Sequence, residues 1–226
     1  WKDVGFIIVG DLKTPAAITD YLDGFSRSGY SIDYWDIERQ KKWLRSFPEL
    51  DALIPYNSIQ RRNLGYLISY SHGAELIVSI DDDNFVVSSD DFIKGHNIVG
   101  QSMPLTTAES STGWFNPCDL LVTNTGRRIY HRGFPFSKRW LEEKVNYKTT
   151  QGRVVINEGL WLAAPDVDAV THLQEPVEVT GFKEDFQQNH IALAEGTYSP
   201  INTQNTAFHR DLLPCMYLPV MGDRVN

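Results

Sequence analysis

Three short strand-like runs, the first and third of them apolar and each followed by a polar turn, constrain this chain more than any other feature of its sequence. Val4 to Val9 is rich in β-branched residues and closes on Gly10-Asp11; Tyr30 to Tyr34 ends near Asp36; Glu75 to Ile80 runs into Asp81-Asp82-Asp83. Such runs read as buried strands. Between the first two lies a helical pattern. Thr14 is placed to cap it, Pro15 occupies the first helical position, and Ile18, Tyr21, Leu22 and Phe25 fall on one face. Between the second and third lies another, capped by Asn57 or Ser58, carrying Ile59, Leu64, Leu67 and Ile68, and ended by His72-Gly73. Trp43 and Leu44 open a less regular stretch before it. Strand, helix, strand, helix, strand predicts an α/β fold with a mostly parallel central sheet and a ligand site at the strand C-termini.

From about residue 95 Ser, Thr, Gly, Asn and Pro become common and helical patterns scarce. Val154-Val155-Ile156 and Leu160-Trp161-Leu162 read as short strands, and Asp185 to Ala194 as a short helix. With no repeat or clear linker, the expectation is a single domain over 1–226. Residues about 1–94 would form a nucleotide-binding half and about 95–226 an acceptor half. The formal net charge of −8 excludes general nucleic-acid binding, which needs a basic face. Apolar stretches are too short to span a membrane. Cys118 and Cys215 match no metal-ligand spacing and read as unpaired buried thiols. The chain begins at Trp1 and enters a strand-like run at once, so the reading allows for truncation at both ends and for a removed targeting or anchor segment.

The strongest local chemistry is Ile80-Asp81-Asp82-Asp83-Asn84. Adjacent carboxylates at the end of an apolar strand repel one another unless a cation compensates. Hard oxygen ligands suit Mg²⁺ or Mn²⁺, which can bridge a diphosphate and neutralise it as it leaves a sugar carbon. In the loop after the first run, Gly10 permits close backbone approach, Lys13 can reach phosphate, Asp11 can bond uridine or ribose, and the helix start at Thr14 favours an anion. Arg61 and Arg62 precede the acidic strand, and arginine matches phosphate oxygens. Asp36, at the end of the second strand, completes the nucleotide set.

Farther on, Arg132-Gly133-Phe134-Pro135-Phe136-Ser137-Lys138-Arg139 is a shaped basic-aromatic loop whose arginines can face a departing phosphate or an electrophilic sugar carbon. Trp161 can stack on a sugar ring, and Asp166 and Asp168 can bond hydroxyls or act as a base. Glu158, Asn205 and His209 complete a candidate sugar or acceptor set.

These segments resemble two related plant groups: the reversibly glycosylated polypeptides, which act as UDP-arabinopyranose mutases, and the glycosyltransferase-like domain of STELLO proteins. Toward the mutases the matching stretches are Ser79 to Asp83, Arg132 to Arg139, Gly159 to Leu162 with Pro165 to Ala169, and Asn205 to Phe208 through Met221-Gly222-Asp223. Toward the STELLO group they are Val9 to Pro15, Gly65-Tyr66-Leu67 and His209. The resemblance implies a GT-A (Rossmann-like) nucleotide-sugar-binding fold, a UDP-sugar substrate and a divalent metal on the Asp-X-Asp cluster. Arg132 occupies the position that is reversibly glycosylated in the mutases, and Arg139 that of the second arginine their activity needs. Asn157-Glu158 stands where the mutases tend to have Ser-His, and His209 where they have Asp.

The combined expectation is a metal-dependent glycosyltransferase using a UDP-sugar donor and a carbohydrate or other hydroxyl acceptor. Asp81, Asp82 and Asp83 would hold Mn²⁺ or Mg²⁺. The alternatives are a UDP-sugar mutase with reversible self-glycosylation and a non-catalytic nucleotide-sugar-binding subunit. The compartment expected is the cytoplasm, or the Golgi lumen had an anchor been removed; an oligomer is left open.

Overall fold

The computed structural model describes residues 4–87, 89–186 and 190–219. The chain forms two compact units: the chain up to Ile77 together with the segment from His209 onward, and Val78–Phe208.

The first unit is built on a parallel pair, β1 (Gly5–Val9) and β2 (Ser31–Trp35), in register from Gly5 against Ser31 to Val9 against Trp35. The crossover helix α1 (Ile18–Arg27) begins later than Pro15 suggests. Its N-cap is Ala17 and no side chain caps it, because the Thr14 hydroxyl is already bonded to the Asp11 N–H at 2.8 Å. Gly29, at φ +89°, turns the chain into β2. The stretch expected to be irregular is helical: α2 (Ile37–Leu44) and α3 (Pro48–Leu53) precede α4 (Arg62–Ser71). A 3₁₀ turn over Ile59–Arg61, capped by Ser58, leads into α4. Helix α2 is charged or polar from Glu38 through Lys42, which hides the anchoring role of Leu44. Leu44 joins Trp35, Ile54, Leu64 and Ile68 in one buried cluster, with Ile7, Val9, Trp43 and Leu50 packed on it. β3 (Leu76–Ile80) leads out of this unit.

The second unit contains α5 (Ser89–His96), β4 (Ser102–Ser110), β5 (Leu121–Thr123), α6 (Phe136–Arg139), β6 (Val145–Arg153), β7 (Ile156–Glu158), α7 (Ala169–Gln174), β8 (Val179–Phe182), β9 (Ile191–Leu193) and β10 (Asn205–His209). Its sheets are small: β3-β10-β7, β6-β4-β9 and β5-β8. The expected mostly parallel central sheet is therefore corrected to a mixed α/β fold with several sheets. β1/β2 and β4/β9 are parallel, whereas β4/β6, β10/β7 and β5/β8 are antiparallel. Parallel pairs need long crossovers, and past residue 95 the chain is rich in turn residues that favour antiparallel returns. The expected strand at Leu160–Leu162 is irregular chain, with Trp161 buried. Of the helix expected over 185–194, residues 187–189 lie outside the described residues and Ile191–Leu193 is strand β9. Met221-Gly222-Asp223 also lies outside them.

Among the described residues, two apolar clusters support this unit. Cys118, Leu121, Ile129, Trp161, Val167, Val177 and Val179 form one, and Ala108, Phe115 and Leu120 the other, with Leu160 packed against both. Both cysteines are free; Cys118 is buried, its thiol pushed up to about 12 by burial and then by nearby carboxylates, while Cys215 is exposed. Among the described residues no helix is long and apolar enough to cross a membrane.

Candidate functional site

In the second unit the basic-aromatic loop is clamped to the Pro165–Asp168 segment by paired charges. His131 to Phe134 form a turn closed by the Phe134 N–H donating to the His131 carbonyl at 2.9 Å. Gly133 stands at the third position with φ +93°, the conformation a type II turn requires there. Arg132 is thereby lifted out at the second position. Its N–H donates to the Asp166 carbonyl at 2.8 Å, its Nε lies 3.1 Å from Asp166 Oδ1, and its Nη2 donates to Oδ2 at 3.2 Å. This is a two-point, side-on pair. The Arg132 side chain is 55% exposed and the Asp166 carboxylate 6%, so an accessible guanidinium rests on a buried acid.

Arg139 follows at the end of α6 and donates through Nη1 to Asp168 Oδ2 at 2.8 Å. Both partners are largely buried, at 10% and 15%. Arg139 lies 4.0 Å over the Phe136 ring and 4.9 Å from that of Tyr130, and its buried Nε has no protein partner. Asp168 also caps α7, accepting from the Thr171 N–H at 3.1 Å. Burial pushes the Asp168 carboxyl upward, but hydrogen bonds from Arg139 and Thr171 outweigh it and hold the group below the usual carboxylate range. The loop thus carries one pair with an accessible guanidinium, Arg132 with Asp166, and one with both partners largely buried, Arg139 with Asp168.

Behind Arg132 lies a residue that the sequence reading passed over. His131 is buried, its ring 5.1 Å from that of Trp161, and its Nδ1 is 2.5 Å from the Arg132 carbonyl oxygen. Trp161 belongs to the core rather than offering a face to a sugar, and its indole N–H finds no protein acceptor. Glu158 accepts from the Asn202 N–H at 3.0 Å. Asn205 is held by His96, whose Nε2 is 2.8 Å from its Oδ1. A Cβ at Gly159 would lie 2.1 Å from Asn205 Nδ2, so glycine is needed beside it.

The acidic cluster follows β3 in the same unit. Asp81 is half-buried, Asp82 and Asp83 are exposed, and Asn84 closes the turn onto the Asp81 carbonyl at 3.3 Å. Among the described residues no group of three or more His, Cys, Asp or Glu side chains converges to hold a metal. The donor set consists of hard carboxylate oxygens from one turn. It suits a cation that takes one or two carboxylates from the protein and the rest from phosphate and water. A cleft of about 520 Å³ elsewhere in this unit is lined by Cys118, Asp119, Leu121, Arg128 and Lys183 and includes none of the candidate residues.

In the first unit Gly10 ends β1 where a Cβ would meet the Tyr34 hydroxyl at 2.7 Å. Asp11 to Thr14 form a tight turn, with the Thr14 N–H on the Asp11 carbonyl at 2.9 Å and Lys13 exposed. Asp36 caps α2 by accepting from the Arg39 N–H at 2.7 Å. Arg61 is buried, donating to Gln40 Oε1 at 3.0 Å and to the Ile54 carbonyl at 2.7 Å and lying 3.9 Å over Tyr56, with Nη2 unpartnered. Arg62 is partly buried at the start of α4. His209 caps the following 3₁₀ segment, accepting from the Asp211 N–H at 3.3 Å. Sequence reasoning missed Gln40 as well as His131. Gln40 is hidden among the charged residues of α2 and His131 stands just before the Arg132–Arg139 motif; both act through burial.

Comparison with known proteins matches residues 6–225 to the family model described as reversibly glycosylated polypeptide. UDP-arabinopyranose mutase 2 of Arabidopsis thaliana is 34% identical over 173 residues, covering 76% of this chain and 43% of the relative. A probable UDP-arabinopyranose mutase 2 of Solanum tuberosum is 32% identical over 218 residues, covering 96% of this chain and 52% of the relative. The probable glycosyltransferase STELLO1 of Arabidopsis thaliana is 27% identical over 178 residues, 74% of this chain and 23% of the relative. The chain spans about half or less of the length of these curated relatives.

Proposed function

Since the chain belongs to the reversibly glycosylated polypeptide family, we propose that it is a UDP-sugar enzyme of the glycosyltransferase type whose reacting centre includes Arg132 and Asp166. The observation that carries this reading is the side-on pair of an exposed guanidinium with a buried carboxylate. An exposed cation favours the diphosphate of a departing UDP, and a carboxylate beside it fixes its plane. Asp168 and Arg139 hold the loop behind it. Asp81 and Asp83 would ligate Mn²⁺ or Mg²⁺, with Asp82 in the surrounding shell. The cation would supply charge neutralisation of the diphosphate. The β1–α1–β2 crossover supports a GT-A-type nucleotide half, with Gly10, Asp11, Lys13 and Thr14 as its proposed nucleotide contacts.

A second reading, a UDP-sugar mutase, is favoured by the unequal exposure of the two arginines, since the one at the glycosylated position is the accessible one. In that reaction the bond between the sugar anomeric carbon and the UDP β-phosphate oxygen breaks. An Arg132 nitrogen forms the new bond, its proton passes to Asp166 and UDP leaves; the ring of the bound sugar opens and recloses in its smaller form, and UDP then displaces the sugar from the nitrogen as Asp166 gives the proton back.

The test is release of UDP from a panel of UDP-sugars with Mn²⁺ present, in wild type, R132A, D166N and D83A, with radiolabelled sugar followed in parallel. Turnover that falls in all the variants supports the enzyme reading. Label retained on Arg132 without an added acceptor selects the mutase. Unchanged turnover in R132A removes Arg132 from the reacting centre, and UDP binding with no turnover at any metal concentration replaces the enzyme reading by a binding subunit.

A further inference from the structure

We propose that His131 is a positioning residue for Arg132, a buried imidazole that locks the turn presenting the guanidinium; this inference rests on the assignment of Arg132 to the reacting centre.

The geometry is specific. The His131 side chain is 1% exposed. The Arg132 carbonyl, 2.5 Å from Nδ1, is only an acceptor, so Nδ1 carries the proton. Nε2 is then the acceptor, facing the Asn202 amide nitrogen at 3.4 Å, with Glu158 Oε1 at 3.7 Å. Asn202 is itself buried and tied to Glu158 through its N–H. Below the ring, Trp161 packs at 5.1 Å. The His131 N–H faces the buried Asn116 Oδ1 at 3.3 Å, and Asn116 donates to the Ile129 carbonyl at 2.7 Å. The imidazole therefore has a fixed floor, a fixed back and one working contact.

That contact matters because residue 132 is otherwise held on one side only. Its N–H is bonded to the Asp166 carbonyl. Its carbonyl precedes Gly133, whose positive φ leaves the next peptide plane free to turn over unless something holds it. The His131 Nδ1–H supplies the hold. With both polar groups of its main chain pinned, Arg132 keeps the orientation that sets Nε and Nη2 against Asp166. Displacement of a reacting group by about 1 Å can reduce turnover on the order of a hundredfold. A ring that fixes the main chain under the guanidinium therefore acts on the reaction without touching substrate.

Two amides separate the two ends of the ring. H131N keeps an N–H donor at the Nδ1 position; H131Q places its amide at the Nε2 position and leaves no donor facing the Arg132 carbonyl. Turnover of UDP-sugar is measured in both, with kcat and KM resolved. The rate of Arg132 modification by phenylglyoxal is followed by peptide mass spectrometry against exposed Arg27. The expected result is that H131N stays near wild type. H131Q should lower kcat roughly a hundredfold with KM little changed, and speed Arg132 modification several-fold while Arg27 is unaffected. Equal behaviour of the two variants in Arg132 modification overturns the proposal, as does loss in both that merely follows a lowered melting temperature. If H131Q does not fold, H131L removes the donor while keeping a side chain against the Trp161 ring, and is read the same way. If wild type turns over no UDP-sugar, the enzyme reading fails, and the modification rates alone still decide the role of His131.

Discussion

Arg139 and Asp168 meet at 2.8 Å with both side chains largely buried, and the same carboxylate caps α7. One acidic side chain thus joins the end of α6 to the start of α7, leaving Arg132 as the accessible guanidinium, resting on the buried Asp166.

Removing Asp168 should destabilise strongly and in a pH-dependent way. D168A leaves Arg139 without its counter-charge and α7 without its cap, a change expected to cost about 3 kcal/mol or more. The carboxyl is held below its ordinary value in the folded state. Its stabilisation is therefore complete above the unfolded-state pKa of about 4 and is lost as pH falls through the folded value. Urea titrations of wild type and D168A should differ by a constant amount from pH 7 to 5, with the gap closing on further acidification. A gap that persists unchanged to the acid limit would contradict the ionic origin.

The part of this arrangement legible in the sequence was what composition marks. β1 and β3 announce themselves through apolar β-branched residues, and the Arg-Gly-Phe-Pro turn through its glycine and proline. What stayed hidden depends on tertiary partners. β6 is almost wholly polar and pairs along its whole length with β4, an antiparallel match that no alternation of apolar residues signals. α2 reads as a charged stretch because its buried side chains include a glutamine. Arg61 and Trp161 look like ligand contacts by residue type, yet both are buried. His131 gives no signal until its ring is seen against the Arg132 carbonyl.

Gln40 should matter more to stability than the arginine it accepts from. Its amide nitrogen donates to the Gly10 and Trp35 carbonyls, each at 2.7 Å, joining the C-terminal ends of β1 and β2. Q40L leaves the Gly10 carbonyl and the Arg61 Nε unsatisfied, at about 1–3 kcal/mol for each buried group, while the Trp35 carbonyl keeps the Gly10 N–H at 2.9 Å. R61M strands the Gln40 and Ile54 oxygens but also removes a buried cation whose Nη2 has no partner, which offsets part of the loss. Denaturant midpoints should therefore rank wild type above R61M and R61M above Q40L. The reverse order for the two variants would show that the cation, not the amide, holds the strand ends.

G133A should damage the site through its backbone alone. A Cβ there would sit 3.6 Å from Pro200 Cβ, an ordinary contact, so there is room for the methyl group. The φ of +93° is what alanine resists, at about 1–2 kcal/mol. Thermal unfolding should show that modest loss, while UDP-sugar turnover should fall by more than the unfolded fraction explains, because the turn presenting Arg132 relaxes. Turnover proportional to the folded fraction would mean that the turn does not set the guanidinium.

His96 should make the protein acid-sensitive below neutral pH. The ring is buried, with Nε2 2.8 Å from Asn205 Oδ1 and Nδ1 3.2 Å from the Asn157 amide nitrogen. Nε2–H donates and Nδ1 accepts, so both nitrogens are satisfied in the neutral ring. Burial lowers the pKa and the Asn205 bond opposes it only in part. The unfolded chain takes up a proton near pH 6.5 while the folded chain does not. Stability is then greatest above that value and declines as pH falls from it toward the lowered folded pKa. H96Q keeps a donor for Asn205 and cannot titrate. Its urea midpoint should therefore fall less than that of wild type between pH 7.5 and 5.5. Parallel declines in the two proteins would mean that the proton enters elsewhere and that His96 is not the group burdened by burial.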